Sequence, residues 1–159
     1  MKAPMTNAIR ALQKAGVAYE LMTYKYEEHG GTRVGARELG VDEHQVIKTI
    51  VMQTESTPVT PFVVLMHGDG EISTKEMARV LNVKGVKPCD PKDADRHSGY
   101  HVGGTSPFGT KRTMTVYVQK TILDLPEIFI NAGSRGLLFR MNPNEIAKVV
   151  KTEIVNVEQ

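Results

Sequence analysis

The sequence predicts an α+β fold, a mixed, barrel-like curled β-sheet with several short flanking helices. Three observations carry that reading. Short β-branched and aromatic runs outnumber helical patterns along the 159 residues. The helical patterns fall between them irregularly, without the strand–helix–strand period of a doubly wound sheet. Hydrophobic residues make up 40% of the chain and charged residues 24%, apolar surface enough for one core and, at this length, for a single domain over residues 1–159.

Each element has a local reason. Thr6 is placed to cap a helix that runs to about Ala15, with Ile9 and Leu12 inward and Gly16 at the stop. Residues 19–24 read as a strand. Thr32 reads as the cap of a second helix that stops at Leu39-Gly40, and Asp42 starts a turn into a β-branched strand over 46–51. A polar stretch over 54–60 precedes the apolar strand 61–66 and the turn His67-Gly68-Asp69-Gly70. Ser73-Thr74-Lys75-Glu76 is a capping box, followed by Met77, Val80 and Leu81 at helical spacing. Residues 83–89 read as a strand, and Asp90-Pro91 opens a helix that Gly99 ends. Further strands are expected over 100–102, 112–118, 127–130 and 137–141. Asn142-Pro143 begins a last helix with Ile146, Val149 and Val150 apolar, and 154–157 closes the chain.

Composition excludes several functions. Lys+Arg 20 against Asp+Glu 18 leaves a formal charge of +2, so only a local basic surface can hold nucleic acid. With no Trp, four Phe and five Tyr, an extensive base-stacking platform is not expected. One Cys excludes an intrachain disulfide framework and a cysteine zinc cluster. No apolar signal-peptide core follows Met1-Lys2-Ala3-Pro4-Met5-Thr6-Asn7, and the longest apolar run, 62–66, is far short of a membrane span. The expected setting is the reducing cytoplasm.

Several apparent motifs fail on inspection. The segment from Gly104 to Lys111 has glycines at P-loop spacing. It ends Thr-Lys rather than Lys-Thr or Lys-Ser, and Pro107 removes an N–H from the phosphate cradle. His97 and His101 stand four apart like a metal pair, but Gly99 between them ends the helix they would share, and no metal site is expected. Cys89 precedes Asp90, whose charge disfavours a thiolate, and reads as a small hydrophobe ending a strand. Ser106 lacks the Gly-x-Ser-x-Gly context of a hydrolase elbow. The chain shows no conventional protein nucleophile.

Two features remain. Lys48 alternates with Val46 and Ile50, so the three share one strand face. Facing a cavity, its ammonium would be partly desolvated and would seek an anionic or carbonyl partner; on an edge strand it would instead deter aggregation. The run Tyr100-His101-Val102-Gly103-Gly104-Thr105-Ser106-Pro107-Phe108-Gly109 is a glycine-rich turn expected directly after a strand. Paired glycines let backbone N–H groups approach a ligand oxygen, and Pro107 stiffens the exit; the plainer reading is a long hairpin connection.

Taken together these residues resemble the YbaK/EbsC family of aminoacyl-tRNA editing domains over nearly the whole chain. The resemblance rests on Val46-Ile47-Lys48-Thr49, on Ser98 to Pro107 with the Gly-x-x-x-Pro signature at Gly103 and Pro107, and on Ala132-Gly133-Ser134-Arg135-Gly136-Leu137. The pattern is most similar to the free-standing deacylases that remove cysteine from proline tRNA. Related members remove alanine or serine. The resemblance implies a pocket for the 3′ aminoacyl-adenosine end of a mischarged tRNA, no cofactor, no membrane, and a prolyl-tRNA synthetase as a further partner. The ester is already activated, so either a water or the substrate cysteine's own thiol can attack. The enzyme would be a hydrolase in the first case and a lyase in the second. By the same resemblance Lys48 holds the terminal nucleotide or ester, and the Gly103 backbone orients the carbonyl. Tyr24, Thr49, Gly104, Thr105, Ser106 and Pro107 shape the pocket, while Ser134 and Arg135 border it. From charge placement alone, Lys111 and Arg112 after the glycine-rich turn, with Arg135 in the second turn, are the expected tRNA-phosphate contacts. Two departures bear on the pocket: Gly30-Gly31 stands where close relatives carry an aromatic residue, and Leu138 where some have an acidic one. A module that binds tRNA or a synthetase without catalysis is the alternative from another class.

Overall fold

The structure is a computed structural model and describes residues 4–159. Met1, Lys2 and Ala3, part of the stretch read above for a signal peptide, lie outside the described residues. Helix α1 (Asn7–Ala15) begins at Thr6, whose hydroxyl oxygen accepts the Ile9 N–H at 3.1 Å, and stops at Gly16 in the left-handed region. The same hydroxyl donates to the Ala132 carbonyl at 2.6 Å, so the cap also pins the helix to the sheet. Strand β1 (Glu20–Thr23) and α2 (Gly31–Leu39) follow, then β2 (Val46–Thr54) and β3 (Pro61–His67). Helix α3 (Thr74–Leu81) is capped by Ser73, which accepts the Glu76 N–H. Strand β4 (Val86–Pro88) leads to α4 (Pro91–Ser98), and β5 (Val116–Gln119), β6 (Ile128–Ser134), β7 (Leu137–Met141) and β8 (Thr152–Val155) complete the sheet.

The sheet is mixed, curled and unclosed, with strands in the order β1-β7-β6-β2-β3-β5-β8 and β4 added beside β2. Strand β2 pairs antiparallel with β3 along one side. Its other side is divided: β6 runs parallel to it at Val46 and Ile47, and β4 runs antiparallel at Met52 to Thr54. Residues 48–51 therefore have a strand neighbour on one side only, and the sheet splits there. Apolar clusters cover both faces. Ile47, Val51, Val63 and Leu65 pack with α1 and with Phe108 and Phe139; Met52, Phe62, Val64 and Met66 pack with α3. Phe108, Phe129 and Phe139 are fully buried, each contributing about 1.5–3 kcal/mol of burial energy. Among the described residues, no helix is long and apolar enough to cross a membrane.

Several sequence-based expectations need correction. Residues 100–102 form no strand. The Tyr100 N–H goes to Ser98 Oγ and the Val102 N–H to Asp95 Oδ1, so side chains at the end of α4 take the donors a ladder would need. The glycine-rich turn thus follows a helix rather than a strand. Residues 111 and 112 likewise donate to the Ser98 and His97 carbonyls, and β5 starts only at Val116. Residues 83–85 belong to the exit from α3, where Val83 N–H returns to the Ala78 carbonyl. Thr32 does not cap α2; the cap position is Gly30, and Thr32 Oγ1 lies 2.8 Å from Glu43 Oε2 and 3.3 Å from the Gly68 carbonyl. The last helix is the tighter 3₁₀ form over Pro143–Lys148, the turn expected at Asp42 is a 3₁₀ turn over Glu43–Gln45, and a further one at Lys120–Asp124 has no counterpart in the sequence reading.

Candidate functional site

A cavity of about 570 Å³ opens where the sheet splits. Residues 46–51 of β2 run through it, so the cavity reaches both faces of the strand. This is the size range of small-molecule sites. Lys48 lies on the face that carries Val46, Ile50 and Met52, between the apolar cluster under α2 and the one under α3. Its side chain keeps 23% of its exposure, and its Nζ lies 3.4 Å from Glu71 Oε1. β2 is interior in the strand order, yet Lys48 falls within the stretch open on one side, and that opening is the cavity. Thr49 points to the opposite face, and its buried Oγ1 has no protein partner among the described residues.

The glycine-rich turn lines the same cavity at Val102, Gly103 and Thr105. Gly103 has φ +93, a region that favours glycine, and a Cβ there would stand 2.5 Å from Tyr26 Oη. The turn is held by β6 and the β6–β7 connection: Arg135 Nε donates to the Val102 carbonyl at 3.0 Å, and Asn131 Nδ2 to the Gly103 carbonyl at 3.1 Å. The Arg135 guanidinium also lies over the Tyr26 ring, 5.2 Å from its centroid. Tyr24 lines the cavity with its pKa pushed up by burial and, secondarily, by the neighbouring Tyr26.

Of the residues expected at a site, the cavity brings together Lys48, Thr49, Tyr24, Gly103, Thr105 and Arg135. Gly104, Ser106, Pro107 and Ser134 are not on its wall. Gly104 lets the turn seat against the chain at Ser134 and Arg135, where a Cβ would come within 2.9 Å of the Arg135 nitrogen. Ser106 is fully buried, and its Oγ accepts the Phe108 N–H. Lys111 and Arg112 are exposed beside the end of α4 and do not line the cavity. Both departures noted in the sequence are on the wall, as Gly31 and Leu138.

Sequence reasoning missed Asn131 and Tyr26, whose partners are distant in the chain. It also passed over Cys89, which lines the cavity. Burial, then Asp93 and Asp90, raise its thiol pKa, and Sγ donates to Gln53 Oε1 at 3.4 Å. A protonated thiol in this setting is a wall group rather than a nucleophile. His97 is buried at the end of α4, whereas His101 is exposed beyond Gly99 and sits 3.3 Å from Asp95.

The family model described as "Aminoacyl-tRNA editing domain" matches residues 30–149, and the chain belongs to that family, in its YbaK/EbsC branch. An Enterococcus faecalis protein named "Putative Cys-tRNA(Pro)/Cys-tRNA(Cys) deacylase EbsC" is 27% identical over 96% of this chain and 92% of its own. A proline–tRNA ligase of Limosilactobacillus fermentum is 24% identical over 64% of this chain, which matches 18% of the ligase. The crystal structure of "a putative trans-editing enzyme for prolyl tRNA synthetase" superposes with a TM-score of 0.85 at 19% identity, covering 99% of both chains. At that identity the likeness shows the fold.

Proposed function

We propose that the protein removes a wrongly attached amino acid from tRNA in trans, with cysteine on proline tRNA as its principal substrate. The observation that carries this reading is that Lys48 and Gly103 line one cavity. An ammonium and a backbone turn on the wall of one cavity suit an ester that needs positioning and charge stabilisation. The reacting ester joins the amino-acid carbonyl to a ribose hydroxyl oxygen of the terminal adenosine. A water oxygen, or the substrate's own thiol sulfur, bonds to the carbonyl carbon. The carbon–ribose oxygen bond then breaks, and the ribose oxygen leaves with a proton. Water yields the free amino acid; the thiol yields a cyclic thiolactone. Lys48 holds the anionic or ester end, and the Gly103 backbone faces the carbonyl oxygen as negative charge develops there.

The name carried by the Enterococcus faecalis relative supports cysteine as the amino acid. Similarity to proline–tRNA ligases supports a prolyl-tRNA synthetase as the partner that delivers the tRNA. The test is a panel of Cys-, Ala-, Ser- and Pro-charged tRNAs under multiple turnover. Preferential release of cysteine is expected. Preferential release of alanine or serine would overturn the substrate assignment, and no release from any of them would leave a binding module.

A further inference from the structure

The hydrogen bonds around the glycine-rich turn distinguish one peptide from its neighbours. The Val102 N–H donates to Asp95 Oδ1 at 3.1 Å. The Gly103–Gly104 peptide is occupied at both ends: its carbonyl accepts from Asn131 Nδ2 at 3.1 Å, and its N–H donates to the His101 carbonyl at 2.7 Å. The Val102–Gly103 peptide is held at one end only, where Arg135 Nε donates to the Val102 carbonyl at 3.0 Å. Among the described residues the Gly103 N–H has no protein acceptor. In a trans peptide the N–H points opposite to the carbonyl, so fixing the Val102 carbonyl also fixes the direction of that free donor.

Both anchors are themselves restrained. Asn131 Oδ1 accepts the Gly133 N–H at 2.7 Å, within the irregular stretch of β6 between Asn131 and Ser134, which sets which end of its amide meets Gly103. Arg135 is braced over the Tyr26 ring, and Tyr26 also closes the space beside Gly103.

We infer that Asn131 and Arg135 are positioning residues that lock the two peptides flanking Gly103 and leave its N–H as the donor for the ester oxygen. The inference rests on the deacylase reading for its chemistry but makes a claim about the turn that can be tested without turnover. Asn131→Asp is nearly isosteric: it keeps the acceptor for the Gly133 N–H and turns an oxygen, instead of a donor, toward the Gly103 carbonyl. Arg135→Lys keeps the charge and loses the planar fork and the stacking.

The experiment combines amide hydrogen exchange, followed by NMR, with single-turnover deacylation of Cys-tRNA(Pro). In the wild-type protein the Gly104 amide is expected to be protected and the Gly103 amide to exchange freely. Gly103 should gain protection when a non-hydrolysable 3′-cysteinylamino-adenosine is added. Each variant should lose Gly104 protection and lower the maximal rate about tenfold, with KM within about twofold. A protected Gly103 amide in the free wild-type protein would overturn the inference whether or not the variants fold. So would folded variants with unchanged exchange and rate. If the wild-type protein releases no amino acid while the exchange pattern still follows Asn131 and Arg135, the deacylase reading fails and the positioning of the turn stands.

Discussion

Glu71 Oε1 lies 3.4 Å from Lys48 Nζ, and the two are unequally placed: the glutamate side chain is 79% exposed and the lysine 23%. A second cavity of about 160 Å³ lies between them and the apolar residues Ile50, Met52 and Ile72, so Lys48 borders two hollows. Such an exposed pair is screened by water and salt and is worth at most about 1 kcal/mol. An incoming anionic substrate can therefore capture the ammonium from Glu71. Glu71→Gln is expected to change kcat/KM for Cys-tRNA(Pro) by less than about threefold. A steady-state comparison with wild type checks it, and a loss approaching that of a Lys48 variant would make the pair itself the functional unit.

Gly103→Ala should harm activity more than stability. The new methyl group meets Tyr26 at a backbone φ of +93, which an L residue adopts only with strain. A stability loss of roughly 1–2 kcal/mol is expected, with a fall in single-turnover rate of at least about tenfold. Thermal melting paired with the rate measurement separates the two. An activity loss no larger than the loss of folded protein would make the turn purely structural.

Tyr100 links stability to alkaline pH. Its hydroxyl donates to the Phe108 carbonyl at 2.5 Å, and burial pushes its pKa up to about 12 from the usual 10.0. Above pH 10 the unfolded chain loses this proton while the folded chain keeps it. The stabilisation is therefore complete below pH 10 and lost as pH rises to about 12. Tyr100→Phe should lower stability by about 1 kcal/mol near pH 8 and flatten the decline between pH 10 and 12. Denaturant melts across that range check both effects.

Much of the fold, and the strand face that carries Lys48, is legible in the sequence because the signals are local. The caps at Thr6 and Ser73 depend on residues three positions away, and the face shared by Val46, Lys48 and Ile50 follows from the two-residue period of a strand. What the sequence hides depends on distant partners. Thr32 stands at a plausible cap, yet its hydroxyl is engaged by Gly68 and Glu43. Asn131 carries no motif of its own, and its meaning comes from a carbonyl twenty-eight residues earlier. The strand expected over 100–102 fails because Asp95 and Ser98 compete for its backbone donors, a competition that residue propensities do not register.

Lys111 and Arg112 are exposed and off the cavity wall, a placement suited to the tRNA backbone rather than to the amino acid. Neutralising either should weaken binding to all tRNAs and flatten the logarithmic salt dependence by about one unit. Amino-acid preference should not move. Rates on two tRNA bodies at several salt concentrations check this, and a variant that alters the choice between cysteine and alanine would place the residue in the pocket.

The most direct measurement is single-turnover deacylation of Cys-tRNA(Pro) by Lys48→Ala beside the wild-type protein, with melting curves for both. A preorganised charge contact is worth about 2.7 kcal/mol, so the variant should be at least about a hundredfold slower while remaining folded. Lys48→Arg should recover little of that loss, since a broad planar fork does not replace a compact ammonium in a narrow cleft. Near-wild-type turnover by folded Lys48→Ala would contradict the assignment of this lysine to the substrate.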